Sequence, residues 1–114
     1  MRNIDINELK KLLSANQADL EIIDVREPDE FQIIKLKNSK LIPMMGIQNR
    51  MGEIDWSKTV VFVCRSGARS GYLARSLSGD YEVLNLLGGL GACYQDPGCR
   101  QYLEVDEEKI GRYF

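Results

Sequence analysis

Val60-Val61-Phe62-Val63-Cys64-Arg65-Ser66-Gly67-Ala68-Arg69-Ser70 decides the reading of this 114-residue chain. Its first four residues are β-branched or aromatic, the mark of a strand buried in a parallel sheet. The strand then delivers a cysteine at its end. Arg65 and Arg69 bracket a Ser-Gly-Ala turn, and helical spacing follows through Tyr72, Leu73, Ala74 and Leu77. Strand, tight loop and helix start together make an anion cradle, in which backbone N–H groups converge and the helix dipole adds positive potential. Ordinary cysteine has a pKa of about 8.5, and helix N-termini and nearby arginines lower it by several units. Cys64 therefore reads as a nucleophile held as its thiolate, and Gly67 as a backbone position needing positive φ or close approach to an anion.

Working outward, the spacing predicts a short strand at Ile4–Ile6, then a helix capped by Asn7 that runs to Asn16 through Leu9, Leu12 and Leu13. Glu21–Val25 reads as a strand. Pro28 fits the first turn of a helix starting near Glu27 with Phe31, Ile33 and Ile34 inside. Lys40–Ile42 is a third short strand, and Met44–Met51 is a helix or an irregular segment. Thr59–Val63 is the central strand and Arg69–Ser78 its helix, followed by a Gly79-Asp80 turn and a fifth strand over Glu82–Leu86. The tail from Cys99 to Phe114 is either loose or a short helix docking Tyr113 and Phe114. Strands alternating with helices imply an α/β domain with a parallel sheet and right-handed crossovers. The length fits one domain, residues 1–114.

Composition narrows the chemistry. Fifteen basic and seventeen acidic residues give a net charge of −2, so no basic field invites nucleic acid or anionic membrane. No apolar run approaches the roughly 20 residues of a membrane span. The first residues lack the apolar core of a secretory signal, which leads to an expectation of cytoplasm. The chain has no histidine. A Cys-His dyad, a Ser-His-Asp triad and a histidine metal site are therefore excluded, and Cys64 must be activated by arginines, dipoles or substrate. Neither a metal nor a cofactor is expected. The odd count of three cysteines, Cys64, Cys93 and Cys99, argues against a structural disulfide framework in a cytosolic chain. Cys93 then reads as a small apolar residue and Cys99 as an exposed turn residue. The sharper alternative makes one of them resolve an oxidised or persulfidated Cys64 by forming a disulfide with it.

Cys64-Arg65-Ser66-Gly67-Ala68-Arg69-Ser70 also resembles the active-site loop of rhodanese-like sulfurtransferases. Asp24-Val25-Arg26-Glu27-Pro28-Asp29-Glu30-Phe31 upstream and Val83-Leu84-Asn85-Leu86-Leu87-Gly88-Gly89 downstream agree in order and spacing. The resemblance covers nearly the whole chain and weakens after about Cys99. It implies a three-layer α/β fold, with a central, mainly parallel five-stranded sheet and helices on both faces. Family members usually carry Gly-His-Ile and then Gly-Ala where this chain has Ile34-Lys35-Leu36 and Asn38-Ser39. They often carry tryptophan where it has Cys93, leaving volume for Tyr94 or Tyr102 to fill.

What the resemblance implies for function is sulfur transfer. A donor such as thiosulfate or a persulfide gives its outer sulfur to Cys64. The Cys64 persulfide passes it to cyanide, a thiol or a sulfur-acceptor protein, with the outer sulfur's charge among the N–H groups of residues 65 to 69. Arg65 projects from the loop toward substrate charge. Arg69 either binds the donor's oxyanion or pairs with a nearby carboxylate. Ser66 is placed to donate to the sulfur, Ala68 completes the loop, and Gly88-Gly89 allow close packing beside it. Asp24 and Arg26 form an ion pair that steadies the loop from the next strand. Direct catalysis by Asp24 is disfavoured, since a carboxylate beside a thiolate raises its pKa. Two other readings stand beside this one. One is a sulfur-carrier or protein-binding module with little turnover. The other is a cysteine phosphatase or arsenate reductase, disfavoured because those use C-x5-R and this loop is C-x4-R.

Overall fold

The computed structural model describes residues 1–77, 79 and 81–114. In chain order the elements are β1 (Arg2–Ile4), α1 (Ile6–Ala15), β2 (Leu20–Asp24), α2 (Pro28–Ile33), β3 (Ile34–Leu36), β4 (Lys40–Leu41), β5 (Thr59–Val63) and α3 (Ala68–Ser76). They continue with β6 (Leu84–Leu86), α4 (Gly89–Gln95), α5 (Pro97–Arg100), β7 (Leu103–Val105) and α6 (Ile110–Tyr113). A 3-10 segment, Met44–Glu53, precedes β5. The central sheet has the order β1-β6-β5-β2-β4, with every pairing parallel. This is the five-stranded α/β architecture expected.

Successive side chains of β2 and β5 point to opposite faces of the sheet. Ile22, Val61 and Val63 point to one face, where Leu9 and Leu13 of α1 and Leu90 of α4 cover them. Ile23, Val60 and Phe62 point to the other, beneath Leu73 and Ala74 of α3 and Ile47 of the 3-10 segment. Both faces are thus dry, as a parallel sheet requires. The register pairs Asp24 with Val63, so β2 and β5 end side by side. Ligand sites of open α/β sheets form at that edge. Among the described residues, no helix is long and apolar enough to cross a membrane.

Several boundaries differ from the expected ones. The first helix is capped by Asp5, whose carboxylate accepts from Glu8 N–H at 2.9 Å, and not by Asn7. That cap pulls Ile6 into the helix and ends β1 at Ile4. Ile34 is buried, but in β3 and not in α2, because β3 pairs antiparallel with β7 in a second small sheet. The helix predicted to reach Ser78 ends at Ser76; Ser78 itself, and Asp80 of the predicted turn, lie outside the described residues. Tyr94 and Tyr102 both pack against the core cluster that contains Cys93. The tail is docked.

The largest correction concerns the cysteines. Cys93 and Cys99 form a disulfide with each other, and both are fully buried. Asp96 turns the chain between α4 and α5, accepting from Cys99 N–H at 2.8 Å, with Pro97 opening the second helix. The turn brings the two Cα atoms to 5.1 Å, within bridging distance. Cys99 is therefore no exposed turn residue, and neither cysteine is joined to Cys64, which is free. Closing so short a loop contributes about 2 kcal/mol in the chain-entropy account. The double variant Cys93→Ala/Cys99→Ala, and wild type treated with a dithiol reductant, are expected to lose that amount in urea denaturation. Denaturation midpoints unchanged by either treatment would show that the bridge adds nothing to the fold.

Candidate active site

Cys64 leaves β5 as the chain turns toward α3. Gly67 caps α3 at φ +93, as expected, and a Cβ there would lie 2.8 Å from Leu86 O, so the close approach that requires glycine is to the main chain of β6 and not to an anion. Gly67 N–H donates to Cys64 Sγ at 3.1 Å. On the other side α4 closes against the loop: Leu90 N–H donates to Cys64 O at 2.9 Å and Gly91 N–H to Arg65 O at 3.0 Å. Gly89, at φ +56, lies so close that a Cβ would strike the carbonyl oxygens of Cys64 and Arg65. Gly89 is thus what lets α4 grip the loop, whereas a Cβ at Gly88 would meet Ala92 of α4 itself.

Burial pushes the Cys64 thiol up. The Ser70 hydroxyl and the backbone N–H groups of Ser70, Ser66 and Gly67 outweigh it, and the thiol is held below its ordinary value. Ser66 acts here through its main chain. Ser70, buried in the first turn of α3, faces the sulfur, a contact that no local sequence pattern marks. Its Oγ lies 3.3 Å from Sγ and 2.5 Å from Asn85 Oδ1. One hydroxyl proton serves both acceptors, and a thiolate competes for it better than a thiol. Asn85 is in turn fixed through its Nδ2, which donates to Asn3 Oδ1 at 3.0 Å. Ser70→Ala is expected to move the pH–rate curve for alkylation of Cys64 by iodoacetamide to higher pH, slowing the reaction at neutral pH about three- to tenfold. A superimposable curve would remove Ser70 from the site.

Beyond the thiol lies a chain of charges. Asp24 and Arg26 are fully buried and doubly bonded, with Nη2 to Oδ2 at 2.7 Å and Nε to Oδ1 at 2.8 Å. Arg26 Nη1 donates to the Tyr113 hydroxyl at 2.9 Å, and that hydroxyl donates to Glu30 Oε2 at 2.7 Å. Glu30 takes both Nη groups of Arg69, at 2.7 and 2.9 Å. Of the two readings of Arg69, pairing with a carboxylate is the one realised. Arg65 is exposed; its Nε donates to Tyr113 O at 3.1 Å, and its guanidinium lies over the Tyr113 and Phe114 rings at 5.4 and 5.7 Å. The Asp24–Arg26 pair reaches the loop through Tyr113, Glu30 and Arg69, a route longer than a direct contact. Burial pushes the Tyr113 phenol up to about 12, Glu30 adding to the rise and Arg26 opposing it.

The geometry defines an α/β domain whose parallel sheet presents a cysteine in a ring of main-chain donors. The chain belongs to the rhodanese-like domain family, whose sequence model matches residues 5–96. It is 38% identical over 77 residues to the uncharacterized Bacillus subtilis protein YqhL, covering 66% of this chain and 61% of that protein, just under two thirds of its length. A sulfurtransferase of Allochromatium vinosum is 37% identical over 94 residues, covering 79% of this chain and 85% of that one. The crystal structure of a rhodanese-like domain protein from Staphylococcus aureus matches with a TM-score of 0.76 at 30% identity, covering 93% and 99% of the two chains.

Proposed function

We propose that this chain is a sulfurtransferase acting as a single domain over residues 1–114, with Cys64 as the sulfur-accepting nucleophile. The family and the sulfurtransferase relative support the general role. The observation that carries the residue assignment is the Sγ of Cys64 under the Gly67 N–H, with the thiol held below its ordinary value. The Cys64 thiolate attacks the outer sulfur of a donor, the donor's S–S bond breaks, and its electron pair leaves with the remainder of the donor. Cys64 then carries a persulfide, whose outer sulfur the loop N–H groups of residues 65 to 69 stabilise. Attack by cyanide, a thiol or an acceptor protein on that outer sulfur restores the thiolate. Cys64 is 1% exposed, so a donor reaches Sγ only by displacing neighbouring atoms; the C-x4-R loop, one residue shorter than C-x5-R, suits a single terminal sulfur atom better than a tetrahedral phosphoryl group.

The test is intact-mass measurement after incubation with thiosulfate or a small persulfide. A gain of one sulfur atom, mapped by peptide analysis to Cys64 and removed by cyanide with release of thiocyanate, is the expected result. A protein whose mass never changes with either donor is no sulfurtransferase.

A further inference from the structure

Two arginines bracket the loop, Arg65 and Arg69, and one of them is already spoken for. Both Nη groups of Arg69 lie on the Glu30 carboxylate. Glu30 is held from two further directions, by the Tyr113 hydroxyl at 2.7 Å and by Glu27 N–H at 3.2 Å in the capping box of α2. Hydrogen bonding from Arg69, joined by Tyr113 and the Glu27 amide, overcomes burial and holds the Glu30 carboxyl at about 2, so it is an anion at any working pH. Asp24 cancels Arg26 in the same way. Of these charged groups Arg65 alone lacks a carboxylate partner among the described residues.

The two donor classes place different demands on such a loop. With thiosulfate, a thiolate meets a dianion. The Cys64 sulfur bonds to the sulfane sulfur, the S–S bond breaks, and sulfite leaves with the electron pair, so three negative charges share the site throughout. With a persulfide RSSH, the thiolate attacks the outer sulfur, RS⁻ leaves with the electron pair, and the proton stays on the transferred sulfur. One negative charge is present before and after. Stabilising three charges calls for free cations beside the loop, and Glu30 has occupied one.

We infer that Glu30 is the residue that sets donor choice, turning the site toward persulfides and away from thiosulfate by neutralising Arg69. This rests on the sulfur-transfer reading above and specifies its substrate class. Glu30 acts through Arg69 and is a specificity-determining residue, not a catalytic one.

The experiment measures single-turnover sulfur loading of Cys64 by intact mass with two probes, thiosulfate and 2-hydroxyethyl persulfide, and takes the ratio of the two second-order rate constants. Intrinsic donor reactivity cancels when ratios are compared between variants. Glu30→Gln keeps the shape and an oxygen for the capping bond, and is expected to raise the thiosulfate-to-persulfide ratio about tenfold. Glu30→Asp keeps the charge and is expected to stay within about twofold of wild type. Arg69→Gln leaves Glu30 without its counter-charge, and is expected to move the ratio down about tenfold. General loosening of the loop slows both donors together and leaves the ratio alone. A ratio unmoved in Glu30→Gln, or unmoved in Arg69→Gln should the first variant not fold, overturns the inference. Loading by neither donor in wild type removes the sulfur-transfer reading itself, a different outcome from an unmoved ratio.

Discussion

Cys64→Ser is expected to abolish sulfur loading and to cut transfer to any acceptor by at least about a thousandfold. Serine is nearly the same size and its oxygen can take the Gly67 N–H, so the fold should survive, with denaturation within about 1 kcal/mol of wild type. What disappears is the nucleophile. A serine hydroxyl needs a base to become an alkoxide, and this chain contains no histidine to supply one. Thiol chemistry escapes that need because donors around Sγ favour the anion directly. The variant also identifies the sulfur, since Cys93 and Cys99 are bonded to each other and Cys64 is the free thiol. Sulfur still accumulating on Cys64→Ser would move the chemistry to another residue.

The second large effect is on stability. Asp24→Leu leaves the Arg26 guanidinium fully buried without its counter-charge. Burial pushes Arg26 down, and the Asp24 carboxylate, with Tyr113, more than reverses it. Removing one partner of such a pair costs about 3–5 kcal/mol, whereas replacing both by apolar groups is often close to neutral. Asp24→Leu is therefore expected to lose that amount in urea denaturation, and Asp24→Leu/Arg26→Met to recover most of it. A single variant no less stable than the double one would mean that the guanidinium finds other compensation, from Tyr113 and the carbonyls of Glu30 and Ile34.

The strand and loop over residues 60–70 were legible in the sequence because their signal is local. An unbroken apolar run, a glycine at the turn and a helical pattern sit within eleven residues. The same holds for Gly88-Gly89, where two glycines in succession mark a close approach. The short elements were not legible. Helices α4 and α5 and the β3–β7 ribbon each span seven residues or fewer per segment, too few for periodicity to emerge. An odd cysteine count argues against a disulfide framework, but parity says nothing about a turn at Asp96 that brings residues six positions apart together. Ser70 looked like the start of a helix, and only its inward face shows it beside the sulfur. Glu30 lies in the first turn of α2, where it serves in the capping box. Its second role depends on Arg69 and Tyr113, which are 39 and 83 positions away, and no local pattern encodes such contacts.

Those separations bear on how the molecule is born. A ribosome makes Glu30 and then the reactive loop before Tyr113, and the β3–β7 ribbon likewise waits for its last strand. Contacts of such long sequence range form late and slowly. A nascent chain would therefore carry its thiol for a time without the tyrosine that steadies Glu30, so the donor preference inferred above would mature only once Tyr113 has been made and has folded back onto Glu30.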